Sequence, residues 1–235
     1  MSWQSWTALL AVGWAAMQAG CGQPGNSGTS GPGAGGSGKR VHLIGFDASE
    51  PVVAGLRHGS IDGVVLQNPY KMGELGVKTL VQHLEKQPVD RRISTGEALA
   101  TPENMDTPDI KSLIFAPKAE NDGGNLSGAK TKKWRVIIIP KETNQEFWMT
   151  IHAGALRAEK DLGSVEILWQ GPAKEDDREQ QIRLVQSAVA AGVDGVFLEV
   201  HEAPERALSD GPNALRLDLL AALWQNLQAI HSLSP

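Results

Sequence analysis

The stretch KWRVIIIPKETNQEFWMTIHAGALRAEKDLGSVEILWQG, residues 133–171, decides the fold. Residues 135–140 (RVIIIP) set three isoleucines in a row and close them with a proline, the strongest strand pattern in the chain. From about Gln145 to Leu162 the residues Phe147, Trp148, Ile151, Ala155 and Ala158 recur at helical spacing and share one face. Residues 165–169 form the next short apolar run. Strand, amphipathic helix and strand with short connections predict a βαβ unit on a parallel sheet.

The same alternation continues on both sides. Toward the C-terminus, residues 176–191 predict a helix with Ile182, Val185 and Val189 inward and Asp176 as N-cap. Residues 195–200 (GVFLEV) predict a strand, and 217–231 a closing amphipathic helix. Toward the N-terminus, residues 41–46 (VHLIGF) read as a buried strand ending at Asp47. A short helix over 51–58 follows, with Ser49 as N-cap and Gly59 as its stop. Residues 61–67 predict a second strand, and 69–85 a helix carrying Met72, Leu75, Val77, Leu80, Val81 and Leu84. A third strand over 93–98 precedes the turn-rich TPENMDTPD. The polar, glycine-containing residues 120–133 read as a linker. The fold class expected is α/β, three-layer, with a mostly parallel sheet. Ligands of such folds bind at the carboxyl ends of the strands, so the residues that matter follow each strand.

Of 235 residues, 41% are hydrophobic and 21% charged, a globular composition. Residues 1–38 contain no Asp, Glu, Lys or Arg, so all the charges fall in 39–235. The net charge of −5 gives no basic face for nucleic acid. The single cysteine, Cys21, excludes an intrachain disulfide and a cysteine-based zinc site. Residues 6–17 (WTALLAVGWAAM) are apolar but shorter than the roughly 20 residues of a membrane span, and suit a leader. The following Gln18-Ala19-Gly20-Cys21 resembles the lipobox of bacterial lipoproteins, which implies a leader over 1–21, lipidation at Cys21 and a place in the bacterial cell envelope. Two features depart from that pattern: no Lys or Arg precedes the run, and Gln18 stands where an aliphatic residue is preferred. The other reading is an amphipathic helix with an incidental cysteine. Residues 22–38 hold eight glycines in seventeen positions and read as a flexible tether.

LIGFDASEPVVAGLRHGSIDGVVLQNPYKMGELGVKTLVQHL (43–84), continued by TGEALATPENMDTP, resembles the C-terminal part of periplasmic sugar-binding proteins of the ribose-binding type, over 43–110 in all. Residues 133–196 resemble the beginning of the same family. The order is reversed relative to that family and its middle region is missing, so the resemblance implies a periplasmic-binding-protein-like fold, permuted and incomplete. GVDGVFLEVHEAPERALSDGPNALRLDLLAALWQNLQAI (192–230) is similar to the end of the octulosonate phosphate synthase, an aldol-type enzyme on a (βα)₈ barrel. The chain is thus expected to be a chimera, natural or constructed. Its parts would be 39–116 from the late sugar-binding section, a linker at 117–133, 134–200 from the early section, and a synthase-like tail at 201–235.

A sugar cleft needs planar polar groups for hydroxyls and aromatic faces for the ring. By resemblance, Asp47 and Gln67 would take hydroxyls from one lobe, and Asn144, Phe147 and Trp148 would contribute from the other. Each has an ordinary alternative: Asp47 as a helix cap, Gln67 as a strand end, the two aromatics as core. The family's ring-clamping Asp/Arg pair and second Arg would come from the missing middle. Glu199 and Asp210 fall where metal-dependent synthases hold two metal ligands, but the family's histidine and cysteine ligands have no counterpart, and one strand with one helix cannot close an eight-stranded barrel. A solvated Glu and a turn Asp are the alternative there. His42, His58, His83, His152, His201 and His231 show no metal-ligand spacing, Glu175-Asp176-Asp177 favours a helix N-terminus, and no P-loop, GxGxxG or Ser/His/Asp arrangement occurs.

The sequence therefore predicts a sugar-capturing protein of the ABC-transporter substrate-binding type, with no catalytic residue, metal or cofactor. Its expected partners are a small sugar, an ABC transporter permease, the membrane through a lipid anchor, and a second copy through exposed sheet edges. No nucleic acid is expected, since no helix-turn-helix headpiece is present. The rivals are a synthase fragment or fusion, and a scaffold whose cleft was lost in the rearrangement.

Overall fold

A computed structural model describes residues 9–12, 41–119, 132–140, 142–172, 178–206 and 215–232. In chain order the elements are β1 (Leu9–Val12), β2 (Ile44–Phe46), α1 (Glu50–Arg57), β3 (Gly63–Gln67), α2 (Pro69–Leu84), β4 (Glu97–Ala100) and α3 (Pro108–Ile114). After the linker come β5 (Trp134–Ile138), α4 (Glu146–Leu162), β6 (Val165–Trp169), α5 (Arg178–Ala190), β7 (Gly195–His201), β8 (Leu215–Arg216) and α6 (Leu220–Ser232).

The isoleucine run builds the centre of the larger sheet. Its strands lie in the order β1-β7-β5-β6, all parallel, with β8 also pairing β7. Alternation along β5 sends Val136 and Ile138 to one face, Ile137 and Ile139 to the other. On the first face α2 and α4 bury Val77, Leu80, Val81, Ala155 and Ala158 against Val136, Val165 and Ile167. On the second, α5 and α6 bury Val185, Ala188, Val189 and Leu227 against Ile137 and Leu168. Three layers result, as the periodicity predicts. Within the sheet the buried Arg135 pairs with Glu166 of the neighbouring strand at 3.0 Å, and its backbone N–H donates to Asp194 Oδ2 at 2.7 Å.

Helix α2 begins where β3 ends. Asn68 Oδ1 accepts from the Lys71 N–H at 3.0 Å, and Pro69 takes the first helical position. From there the helix leaves its own sheet and lies on α4. A Cβ on Gly73 would run into the carbonyl of Ile151, and one on Gly154 into the carbonyl of Tyr70, so the two backbones touch where neither residue has a side chain. Lys78 bridges Glu74 at 2.6 Å and Asp161 at 3.0 Å farther along. Tyr70 therefore lies by Gly154 and Lys78 by Asp161, and the helices run in the same direction.

The smaller sheet has the order β2-β3-β4, with β2 parallel and β4 antiparallel to β3. One face is covered: Val64, Leu66 and Ala100 pack with Leu56 of α1, Met105 and Ile114 of α3. The other is open. Ile44 is 55%, Phe46 49% and Leu99 51% exposed. This corrects the expectation of a buried strand over 41–46: β2 is an edge strand, and the helix that follows β3 covers the other sheet.

Other differences are local. Ser49 precedes α1 without a side-chain capping bond. The third strand lies at Glu97–Ala100 rather than 93–98, beyond Gly96 at φ +86°. The turn chemistry of TPENMDTPD holds, with Asn104 Oδ1 accepting from the Thr101 N–H at 2.7 Å. It runs directly into α3, which the sequence reading missed. Ile182 is 45% exposed, because it lies one turn before the cluster that α6 closes. Part of the apolar N-terminal run, Leu9–Val12, pairs with β7 as an edge strand. Asp176 and most of the linker lie outside the described residues.

The helix crossing gives a direct stability test. Gly154→Ala should lower stability in urea by about 1–3 kcal/mol through overpacking. Gly76→Ala, whose Cβ would meet open space, should be neutral or stabilising by up to about 1 kcal/mol. Wild-type stability in the Gly154 variant would contradict the close approach.

Candidate functional site

Asp47 stands immediately after β2 with φ +59°, a left-handed backbone that few residues other than glycine adopt. Its N–H donates to the Val65 carbonyl at 2.9 Å, which ties it to the neighbouring strand. Gln67, the last residue of β3, donates from Nε2 to Asp47 Oδ1 at 3.0 Å. Burial pushes the Asp47 carboxyl above the ordinary aspartate range, and the Gln67 hydrogen bond opposes that rise without cancelling it. A half-buried carboxyl and an amide thus form one rigid polar unit at the carboxyl ends of two adjacent strands.

The second set follows β5. Pro140, Glu142 and Thr143 are buried, and Asn144 is exposed. The Gln181 side chain of α5 donates to the Pro140 carbonyl at 3.2 Å, and Gly171 packs on Pro140 and Thr143. Phe147 and Trp148 occupy the first turn of α4, half-buried, their ring centroids 5.2 Å apart at 89°. The chain leaving α3 returns to this turn: the Ala119 N–H donates to the Met149 carbonyl at 3.0 Å, and Lys118 pairs with Glu146 at 2.7 Å. Of the expected binding residues, Asp47 meets Gln67 and Phe147 meets Trp148. Helix α2, which begins two residues after Gln67 and packs on α4, connects the two pairs.

Glu142 and Thr143 are absent from the sequence reading. The available signal was their place beyond the carboxyl end of the strongest strand. Glu199 lies in β7, opposite Val12 in register. Asp210 and Cys21 lie outside the described residues. Among the described residues no three metal-ligating side chains come together, and no helix is long and apolar enough to cross a membrane. His152 is buried and stacks on Trp169 at 4.4 Å. A hollow between α2 and β5, lined by Met72, Gly76, Leu80, Ile138 and Ile151, is almost wholly apolar and offers no fork for hydroxyls.

Residues 170–232 match the model of the DAHP synthetase I family. Over 64 residues the chain is 52% identical to the 2-dehydro-3-deoxyphosphooctonate aldolase of Citrifermentans bemidjiense, covering 27% of this chain and 23% of that protein. Against the Pelobacter propionicus enzyme it is 54% identical over 61 residues, 26% of this chain and 22% of that one. The chain spans about a quarter of the length of the curated relatives it matches. The match begins at residue 170, so it overlaps the stretch that resembles sugar-binding proteins through α5 and into β7. Among solved structures, an ABC transporter solute-binding protein from Agrobacterium vitis with bound D-fucose is 36% identical with a TM-score of 0.30, covering 31% of this chain and 25% of that one. A carbohydrate transporter solute-binding protein from Agrobacterium radiobacter in complex with D-arabinose is 39% identical with a TM-score of 0.31, over 32% and 25%. Superpositions at those scores carry no weight for the function.

Because burial raises the Asp47 pKa, the folded chain holds that proton more tightly than the unfolded one, and stability falls as pH rises through the carboxylate range. Asp47→Asn removes this dependence and tolerates the same backbone angle. In melts across pH, the variant should exceed wild type near neutrality, and the gap should close as pH drops to about 4 and below. A gap that does not change with pH would contradict the burial of the carboxyl.

Proposed function

We propose that this chain captures a small carbohydrate without chemistry, as the substrate-binding component of an ABC transporter does. The observation that carries the reading is the Asp47–Gln67 pair. A left-handed aspartate costs about 1 kcal/mol or more, and its desolvated carboxyl adds to that. Such a residue persists where its geometry is used. Carboxyl and amide present acceptors and donors next to one another, which suits vicinal hydroxyls that both give and take hydrogen bonds. Phe147 and Trp148 offer the apolar faces that cover a sugar ring, and Asn144 adds an exposed amide in the same loop. The resemblance of residues 43–110 and 133–196 to sugar-binding proteins supports the same assignment.

Lipidation at Cys21 would place the protein at the envelope, facing a permease. Processing there would also remove β1 from the edge of β7, so the full and processed chains would differ by one strand.

The match of residues 170–232 to the DAHP synthetase I family, with the identity to the aldolases over 64 residues, favours a second reading, synthase character. In this fold the tail has another use: α6 buries Leu227, with Leu223 and Ile230 beside it, and closes the core over β5 and β6. The tail thus covers one face of the larger sheet.

The test is a panel of D-ribose, D-arabinose, D-galactose and D-fucose at millimolar concentration, followed by melting temperature and tryptophan fluorescence. At least one sugar should raise the melting temperature as mass action requires. Gln67→Ala should weaken its binding by about 10- to 100-fold. Consumption of phosphoenolpyruvate with arabinose 5-phosphate, and no response to any sugar, would favour the synthase reading instead.

A further inference from the structure

We infer that Glu142 is a further ligand anchor, taking hydrogen-bond donors of the captured sugar in the crevice at the carboxyl end of β5; the inference rests on the carbohydrate reading above. The topology picks the place. From β5 the chain runs through α4 to β6 on one side, then through α5 to β7 on the other. The strand order therefore reverses between β5 and β7. In open parallel sheets ligands bind in the crevice outside the carboxyl ends of the strands at such a reversal.

Strand β5 ends at Ile138, and Glu142 follows four residues later. The loop around it is held firmly. Gln181 binds the Pro140 carbonyl, a Cβ on Gly171 would come within 2.9 Å of Pro140, and Thr143 is 4% exposed. Glu142 itself is 8% exposed, and its Oε1 is buried with no hydrogen-bond partner. Buried acceptors left without a donor are uncommon and destabilising. This one sits in a rigid loop, beside the exposed amide of Asn144, at the position where the fold presents its ligands. A sugar brings what the carboxyl lacks, a hydroxyl that donates. One carboxyl from each side, Asp47 and Glu142, would then accept from the same small polyol.

Glu142→Gln keeps the shape and exchanges an acceptor for a donor. The variant should melt at or above the wild-type temperature without ligand, because the unsatisfied carboxyl is gone. Its affinity for whichever of the four sugars binds the wild type should fall by about 10- to 100-fold. A carboxyl with a purely structural role gives the reverse, a lower melting temperature with unchanged affinity, and that result overturns the inference. Should the glutamine variant not fold, Glu142→Asp keeps the carboxyl but draws it back by one methylene. Weaker sugar binding by that variant supports the anchor, and unchanged binding overturns it. A wild type that binds no sugar removes the carbohydrate reading and this inference together. A wild type that binds while both variants bind equally well removes this inference alone.

Discussion

The contact on which the rest depends is the close approach of α2 and α4 at Gly73 and Gly154. Helix α2 comes from the first half of the chain, yet its apolar face covers the sheet built by the second half. Any side chain at either glycine would push the helices apart, and with them the two sections of chain. Both helices begin just after a candidate binding residue: Gln67 lies two positions before α2, Asn144 two before α4. Because the helices run in the same direction, their N-terminal ends point the same way, and the two polar sets are carried at corresponding ends of one packed pair.

Much of this was legible in the sequence. The run RVIIIP, the spacing of Ala155 and Ala158, and the position of Asp47 and Gln67 at strand ends all survive in the structure. Periodicity shows that a helix has an apolar face but not which sheet it meets, so the transfer of α2 was not legible. For the same reason VHLIGF looked buried: an apolar strand assumes cover, and here the cover goes elsewhere. Helix α3 was hidden because seven residues opening on a proline look like the turn before them. Glu142 was hidden because a glutamate between lysine and threonine reads as solvated, and its burial appears only in the folded loop.

Two helices close the second face of the larger sheet. Helix α6 supplies Leu227 to the same cluster as Val185, Ala188 and Val189 of α5, all within the stretch that matches the DAHP synthetase I family, and together they pack on Ile137 and Leu168 of β5 and β6. Apolar volume of about the right size suffices for such a contact. The smaller sheet received no such cover, and Ile44, Phe46 and Leu99 remain open. Within the apolar run near the N-terminus, Leu9–Val12 form an edge strand on β7.

Native-state hydrogen exchange tests the central contact most directly, because it reports which segments open together. If α2 is docked on α4, its amides should share the opening free energy and denaturant dependence of α4 and β5, and differ from those of β2, β3 and β4 that flank it in sequence. Amides of residues 69–84 exchanging with the smaller sheet, or as freely as an undocked helix, would contradict the account.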